Sequence, residues 1–234
     1  MEFQHSGEIW RDFPELVAGA VFADGITPDA PVGDRVARLS GIARSRLADA
    51  TESELPEIRA WRRAFTRMGL KPTQYRCASE ALLRRIRKEG DLPRLHPIVD
   101  LCNAVSAAFA IPVAVFDVVK LTGRLEVRYA DGDEDYLTFS GETEHPGPHE
   151  VIFADQARHV HARRWCNRQS GLSAAADSTA AVLIVAEAMH ESGSSDVPEL
   201  IAALADELKA VWSAVPATAL LSPAAPRFRF ASQS

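Results

Sequence analysis

Cysteine is scarce in this 234-residue chain, with Cys77, Cys102 and Cys166 the whole set. An odd number without framework spacing argues against a disulfide-stapled secreted scaffold. Long apolar runs are missing too, and none approaches the ~18 residues that a bilayer-crossing helix needs. The opening Met-Glu-Phe-Gln-His has neither a basic patch nor an apolar stretch, so no signal peptide is expected. The common catalytic signatures are absent: no G-x-S-x-G elbow, P-loop, G-x-G-x-x-G or H-E-x-x-H occurs. That sets aside the commonest serine hydrolases, NTPases, dinucleotide enzymes and zincins. What remains is ordinary globular composition, 47% hydrophobic and 25% charged. A soluble cytoplasmic protein is the expectation, with no membrane partner, no cofactor and no metal. A monomer is compatible with everything in the chain, and nothing in it decides the oligomeric state.

The formal net charge of −6 disfavours a nucleic-acid partner, but its distribution does not. Eleven Lys/Arg lie between Arg59 and Arg94 against Glu80, Glu89 and Asp91. Four more arginines fall between Arg158 and Arg168 with no acid among them. Of the 26 basic residues only 4 are Lys, and Arg suits planar phosphate contacts. A concentrated basic sector can bind a phosphate backbone; solvated helix faces are the plainer explanation of the same residues.

Periodicity divides the chain. Leu16–Phe22 reads as a strand and 34–48 as a helix. A second helix is expected from about Ser53, with Pro56 in its first turn, to Gly69. Further helices are expected over 78–88 and, apolar around most of its circumference, over 98–109. Short β-rich runs follow at 112–116, 124–130, 135–139, 150–154 and 159–165, with Asp131-Gly132 as a hairpin-type turn. They suggest a meander. Two helices, 178–190 and 197–214, are expected to close the chain, the second N-capped by Asp196. The arrangement is α+β, a mixed and largely antiparallel sheet flanked by helices.

Polar residues embedded in apolar context carry the chemical interest. They are Arg76, Ser79 and Glu80; Asp100 and Asn103 within the apolar helix; the run Arg163 to Ser170; and Thr179 with Glu187. Burying such groups without partners costs several kcal/mol, roughly 2–7 for a neutral amide. Each is therefore satisfied within the fold or used by a ligand. Helix capping and loop anchoring are the plain reading of Asp100 and Asn103, and an exposed helix position is that of Glu187. His159 and His161 share one strand face with no third ligand nearby, so a polar strand face is favoured over a metal. Cys102, inside the apolar helix, reads as core.

The run Ile98-Val99-Asp100-Leu101-Cys102-Asn103, with Ile111-Pro112, Phe116-Asp117, Leu121-Thr122-Gly123 and Arg128, resembles the B3/B4 domain. That is the editing module of the bacterial phenylalanyl-tRNA synthetase β subunit. Trp61-Arg62, Pro72, Ser79-Glu80, Leu82-Leu83-Arg84-Arg85, Arg163-Arg164-Trp165 and Asn167 resemble its standalone relatives. The similarity covers about Glu54 to Met189 in consistent order. It implies a single three-layer β/β/α domain that hydrolyses the ester of a mischarged aminoacyl-tRNA, acting in trans. Residues 54–190 would form the editing core and 1–53 a strand–helix extension packed on it. A C-terminal helix (191–221) and a flexible tail (222–234) would follow.

The same resemblance implies roles. Asn103, with Asp100, would stand at the scissile ester and help place the attacking water. Glu187, on the helix after Thr179, would read the amino-acid side chain. Arg76, Ser79, Glu80, Asp117, Trp165 and Asn167 would bind substrate. Arg62, Arg63, Arg84, Arg85, Arg163 and Arg164 would meet the tRNA backbone. This chain departs from the synthetase pattern twice: Cys102 stands where the synthetase has Thr, and Ala114 where it has His. The partner implied is an aminoacylated tRNA, first canavanyl-tRNA(Arg), since one standalone branch clears canavanine, then tyrosyl-tRNA(Phe). Two other readings stay open, a tRNA- or RNA-binding module without hydrolysis and a small-molecule hydrolase or binder reusing the pocket.

Overall fold

The computed structural model describes residues 1–231. From the N-terminus, β1 (Glu2–His5) leads through α1 (Gly7–Asp12) into β2 (Val17–Asp24). Four helices follow with no strand between them: α2 (Gly33–Asp49), α3 (Pro56–Arg67), α4 (Ala78–Glu89) and α5 (Pro97–Phe109). The strand-rich middle comprises β3 (Val113–Asp117), β4 (Arg124–Tyr129), β5 (Asp135–Leu137), β6 (Thr143–Glu144), β7 (Val151–Asp155), β8 (His159–Arg163) and β9 (Arg168–Gln169). β10 (Ala181–Ala188), α6 (Gly193–Trp212), β11 (Ala217–Leu221) and β12 (Arg227–Arg229) close the described chain.

The strands form two sheets. One runs β12-β1-β4-β7-β8-β5-β6, with β9 paired to β8; the other runs β11-β2-β10-β3. The second sheet is antiparallel throughout, whereas the first contains the parallel pairs β1–β4 and β5–β8. α5 and α6 pack on the smaller sheet, and the larger sheet covers its other face through rings such as Phe116 against Phe153. This is a β/β/α arrangement of α+β class. α6 approaches β2 so closely that a Cβ at Gly19 would lie 2.5 Å from Ile201 Cγ1.

Most expected elements form, and the departures have physical causes. Residues 178–190 contain no helix: β10 is a central strand paired with β2 and β3, and all eight of its residues are buried. A strand covered on both faces loses its period-2 alternation, so it looks like a buried helix in sequence. The meander is not formed either. β3, apolar on both faces, joins the smaller sheet, and β4 pairs with β7 rather than β5. Asp131-Gly132 therefore closes no hairpin. Its backbone N–H groups donate at 3.0 Å to the buried Glu134 carboxylate, around which the loop curls.

The termini carry more structure than expected. β1 pairs with β4, and Phe3 and His5 turn inward. The tail expected to be flexible supplies β12, whose Arg227–Arg229 pair with β1 while Phe228 and Phe230 are buried. Alternation of Arg with Phe is itself a half-buried strand pattern. Residues 232–234 of that tail lie outside the described residues. α3 starts at Pro56, leaving Ser53 in a preceding 3-10 turn. α6 starts at Gly193 and so holds Asp196 in its first turn.

Two buried carboxylates make the fold acid-sensitive. Burial alone would raise the pKa of Asp155, but His161 and the N–H groups of His159 and Thr122 outweigh it and hold the group at about 2. Glu134 is likewise held at about 2, with burial overcome by the Asp131 and Gly132 N–H groups and by Arg128. Both values are depressed, so their stabilisation is complete above the ordinary carboxylate range and is lost as pH falls toward 2. That stabilisation is lost between about pH 4.5 and 2. Urea melts across that window should show a steep acid loss that Asp155→Asn and Glu134→Gln each flatten.

Candidate functional site

Two adjoining pockets open between the sheets and α5, sharing Val113 and Gln169. The inner one, about 60 Å³, is lined by Ala114, Trp165, Asn167, Val185 and Glu187 among others. The outer one, about 260 Å³, takes in His96, Asn103, Val115, Phe139 and Ala175. A larger cavity of about 420 Å³ lies between α1 and the Pro223–Arg227 turn, but neither Asn103 nor Glu187 borders it. The paired pockets are where the expected acid and amide converge.

Glu187 sits near the end of β10 and is 3% exposed. Its Oε1 accepts from Trp165 Nε1 at 3.0 Å and lies 2.6 Å from His5 Nε2. Its backbone carbonyl accepts from Trp61 Nε1 at 3.3 Å. The two indoles meet edge-on, with centroids 5.3 Å apart. Asn103 faces the outer pocket from the middle of α5, and its amide makes no hydrogen bond with the other described residues. Gln169 bridges the pockets and donates to the Val115 carbonyl.

The Trp165 indole is delivered by a strained segment. Arg164 and Trp165 are consecutive left-handed residues with φ of +46° and +60°. That conformation costs of order 1–3 kcal/mol per non-glycine residue. Arg163 grips Glu150 through two 2.9 Å bonds, and the N–H of Arg164 donates to the same carboxylate at 3.0 Å. Burial would raise Glu150, yet Arg163 holds it below the usual carboxylate range. The Arg164 guanidinium lies 4.7 Å over Tyr75, and Trp165 N–H donates to the Val151 carbonyl at 2.7 Å.

Other expected site residues are used by the fold. Asp100 accepts from the Leu95 N–H at 2.8 Å and so anchors the loop that borders the outer pocket; it lines neither pocket. Asp117 takes the Val119 N–H and the Thr179 hydroxyl, tying β3 to the start of β10. Glu80 is fully buried and paired with Arg62 at 2.6 Å, while Arg76 lies 3.5 Å away. Ser79 is buried against Cys77. Asn167 does line the inner pocket and donates to the Arg76 carbonyl at 2.7 Å. Among the proposed backbone arginines, Arg62 and Arg163 are committed to carboxylates and Arg84 leans on Glu52. Arg85 pairs only with exposed Glu89, and Arg63 is exposed without an ion pair among the described residues.

Burial raises all three thiols, Cys77 to about 12, so none offers a thiolate. Two side-chain groups have cation-holding spacing, Glu57/His190/Asp196 and Asp131/Asp133/Glu134. Arginines already occupy carboxylates in both: Arg46 on Glu57, Arg158 on Asp131 and Arg128 on Glu134. Sequence reasoning missed His5, His96 and Phe139, and included Gln169 only within the polar run Arg163 to Ser170. Phe139 was taken as a strand end but lies beyond β5, 73% exposed at the outer pocket. His96 N-caps α5 through Nδ1, which accepts the Ile98 N–H.

A family model for the B3/4 domain matches residues 60–196, more than half of the chain. The chain belongs to the B3/4 domain family. Its relatives include phenylalanine–tRNA ligase β subunits. That of Cereibacter sphaeroides is 34% identical over 77 residues, 33% of this chain and 9% of that protein. The Coxiella burnetii β subunit is 38% identical over 63 residues, 27% of this chain and 8% of that protein. The match thus spans under a tenth of each β subunit. An N-terminal fragment of the phenylalanyl-tRNA synthetase β subunit from Pyrococcus horikoshii aligns over 92% of this chain and 49% of that one, with TM-score 0.49 and 9% identity. In this B3/4 protein the matched stretch contains Asn103, Gln169 and Glu187 and leaves out β1, β2, β11 and β12. No helix among the described residues is long and apolar enough to cross a membrane.

The ion-pair geometry separates structural from surface arginines. Arg62→Met strands the buried Glu80 carboxylate with only Arg76 near it. It should destabilise by roughly 2–4 kcal/mol in urea unfolding, less than a fully buried pair because Arg62 is part-exposed. Arg63→Met should stay within about 0.5 kcal/mol of the parent.

Proposed function

We propose that this B3/4 protein is a trans-acting aminoacyl-tRNA deacylase of the cytoplasm, hydrolysing the ester of a mischarged tRNA. The observation that carries the reading is the two-part cleft, with the Glu187 carboxylate in the inner pocket and the unpartnered Asn103 amide in the outer one. Water adds to the ester carbonyl; the bond to the ribose oxygen breaks and that oxygen takes up a proton. Free amino acid and uncharged tRNA leave. An aminoacyl ester is already activated, so orientation of water and stabilisation of the developing oxyanion suffice without a covalent nucleophile. Asn103, carrying both a donor and an acceptor, orients the water or the carbonyl. The free hydroxyl of the terminal ribose supplies acid–base assistance.

The exposed Phe139 ring at the outer pocket is a stacking platform for the terminal adenine. Glu187 offers Oε2, which accepts no hydrogen bond from the described residues, to a side chain ending in a donor. A guanidine-like end gains a charge-assisted bond there, which places canavanyl-tRNA(Arg) ahead of tyrosyl-tRNA(Phe) as substrate. Exposed Arg59, Arg63 and Arg94, with Arg85 held only by exposed Glu89, are the side chains placed to meet phosphates, rather than Arg62 and Arg163.

The test is deacylation of canavanyl- and arginyl-tRNA(Arg) and of tyrosyl- and phenylalanyl-tRNA(Phe). One non-cognate ester should be cleaved selectively. Asn103→Ala should lower its kcat/KM by about 10²-fold, the usual cost of one oxyanion-side group. Glu187→Ala should abolish the selectivity. Phe139→Ala should weaken charged-tRNA binding by about 1–3 kcal/mol. Binding of charged tRNA without turnover would replace the deacylase by a non-catalytic tRNA-binding module. Neither binding nor turnover would leave only a shared fold.

A further inference from the structure

We propose that His5, on the N-terminal strand β1, is the positioning residue that aims the Glu187 carboxylate and thereby sets which side chains the inner pocket accepts. The inference rests on reading that pocket as the seat of the aminoacyl side chain. His5 lies outside the stretch matched by the family model, so the device belongs to this chain's own N-terminal strand.

The geometry is specific. The His5 side chain is fully buried, and its Nε2 lies 2.6 Å from Glu187 Oε1. Trp165 Nε1 donates to the same oxygen at 3.0 Å. Two N–H donors on one oxygen occupy its acceptor capacity, and the carboxylate is thereby turned so that Oε2 alone is left to a ligand. Glu187 borders the inner pocket, and Oε2 accepts no hydrogen bond from the described residues. His5 Nδ1 is buried without a partner, which suits the tautomer carrying its hydrogen on Nε2, since a second N–H would be left unsatisfied. His5 is therefore a donor to Glu187.

The ring is also held. It meets Phe3 edge-on at 5.2 Å and Trp10 at 4.9 Å. β1 is paired on both sides, with β4 and with β12, so the imidazole comes from a sheet interior and not from a mobile end. Replacing it by an apolar group frees Oε1 and releases the carboxylate to rotate. The pocket then loses its preference for side chains that end in an N–H or O–H. Sites built to bond a substrate donor reject the analogue lacking it, and misaligning the acceptor erodes that rejection.

The experiment compares donor-bearing with apolar partners on one tRNA: tyrosyl against phenylalanyl, and canavanyl against norleucyl. Both pairs are also prepared as non-hydrolysable 3′-amide-linked aminoacyl-adenosines for binding. Wild-type protein should favour the donor-bearing member by about tenfold or more, the range expected for a recognised polar group. His5→Leu should bring the ratio below about threefold through KM and analogue affinity, with kcat for the apolar ester held within about twofold. His5→Gln, whose amide reaches the imidazole Nε2 position, should restore most of the ratio. His5→Asn, whose amide stops short, should not, and it serves where His5→Leu does not fold. A wild-type ratio in His5→Leu and His5→Asn would overturn the proposal, as would a wild-type protein that discriminates neither esters nor analogues. If the analogues discriminate and respond to His5 while no ester is cleaved, the deacylase reading falls and the role of His5 stands.

Discussion

A carboxylate inside the apolar seam between two sheets needs hydrogen-bond donors from the fold, because an unpaired buried charge costs several kcal/mol or more. Glu187 imposes that condition on this fold, and distant parts of the chain meet it. β1 brings His5 across 182 residues, and the loop after β8 brings Trp165. α3 brings Trp61 to the backbone carbonyl of the same residue. The Trp165 indole in turn requires two left-handed residues, which Arg163, Glu150 and the Tyr75 ring hold in place. The polar cluster around residues 163–167 is thus the scaffold of one hydrogen bond as much as a surface.

Helices α2 to α5 were legible in the sequence by their length and apolar spacing, and β4, β7 and β8 as short β-rich runs between turn residues. β10 was not legible as a strand. Ala181 to Ala188 carries β-branched Val182, Ile184 and Val185, but with both faces covered nothing alternates. Sheet order was beyond reach for a related reason: pairing is fixed by contacts distant in sequence, and only β7–β8 joins neighbours in the expected manner. β1 and β12 are short, and β12 is held by pairing with β1, which in turn pairs with β4, a dependence that no local window reveals.

The candidate site was half legible. Asn103 and Glu187 stand out as amide and acid amid apolar residues, and both reach the cleft. Asp100, Asp117 and Glu80 stand out equally, yet they satisfy a loop N–H, a hydroxyl and an arginine. Local sequence shows that a polar group needs a partner, not whether that partner is protein or ligand. The same holds for charge: the basic surplus from 59 to 94 shrinks once Glu52, outside that stretch, takes up Arg84 and Arg87.

The chemistry left to the cleft follows from what its groups are able to do. Cys77 and Cys102 are buried, the thiol of half-buried Cys166 is likewise raised by desolvation, and Asn103 is neither acid nor base. Orientation and dipolar stabilisation remain, and they act best on a carbonyl already bearing a good leaving group. Under the proposed deacylase reading, one amide and an oriented water would suffice for an activated ester but not for an amide, since one oxyanion donor in such sites is worth about 2.7–4 kcal/mol. On that proposal selectivity would rest on the inner pocket, where His5 and Trp165 occupy Oε1 of Glu187 and Oε2 accepts no hydrogen bond from the described residues. On the same proposal rate and choice would fall to different residues, on α5 and β10. The side-chain preference of such a cleft would then be free to change without loss of the groups proposed to act on the ester.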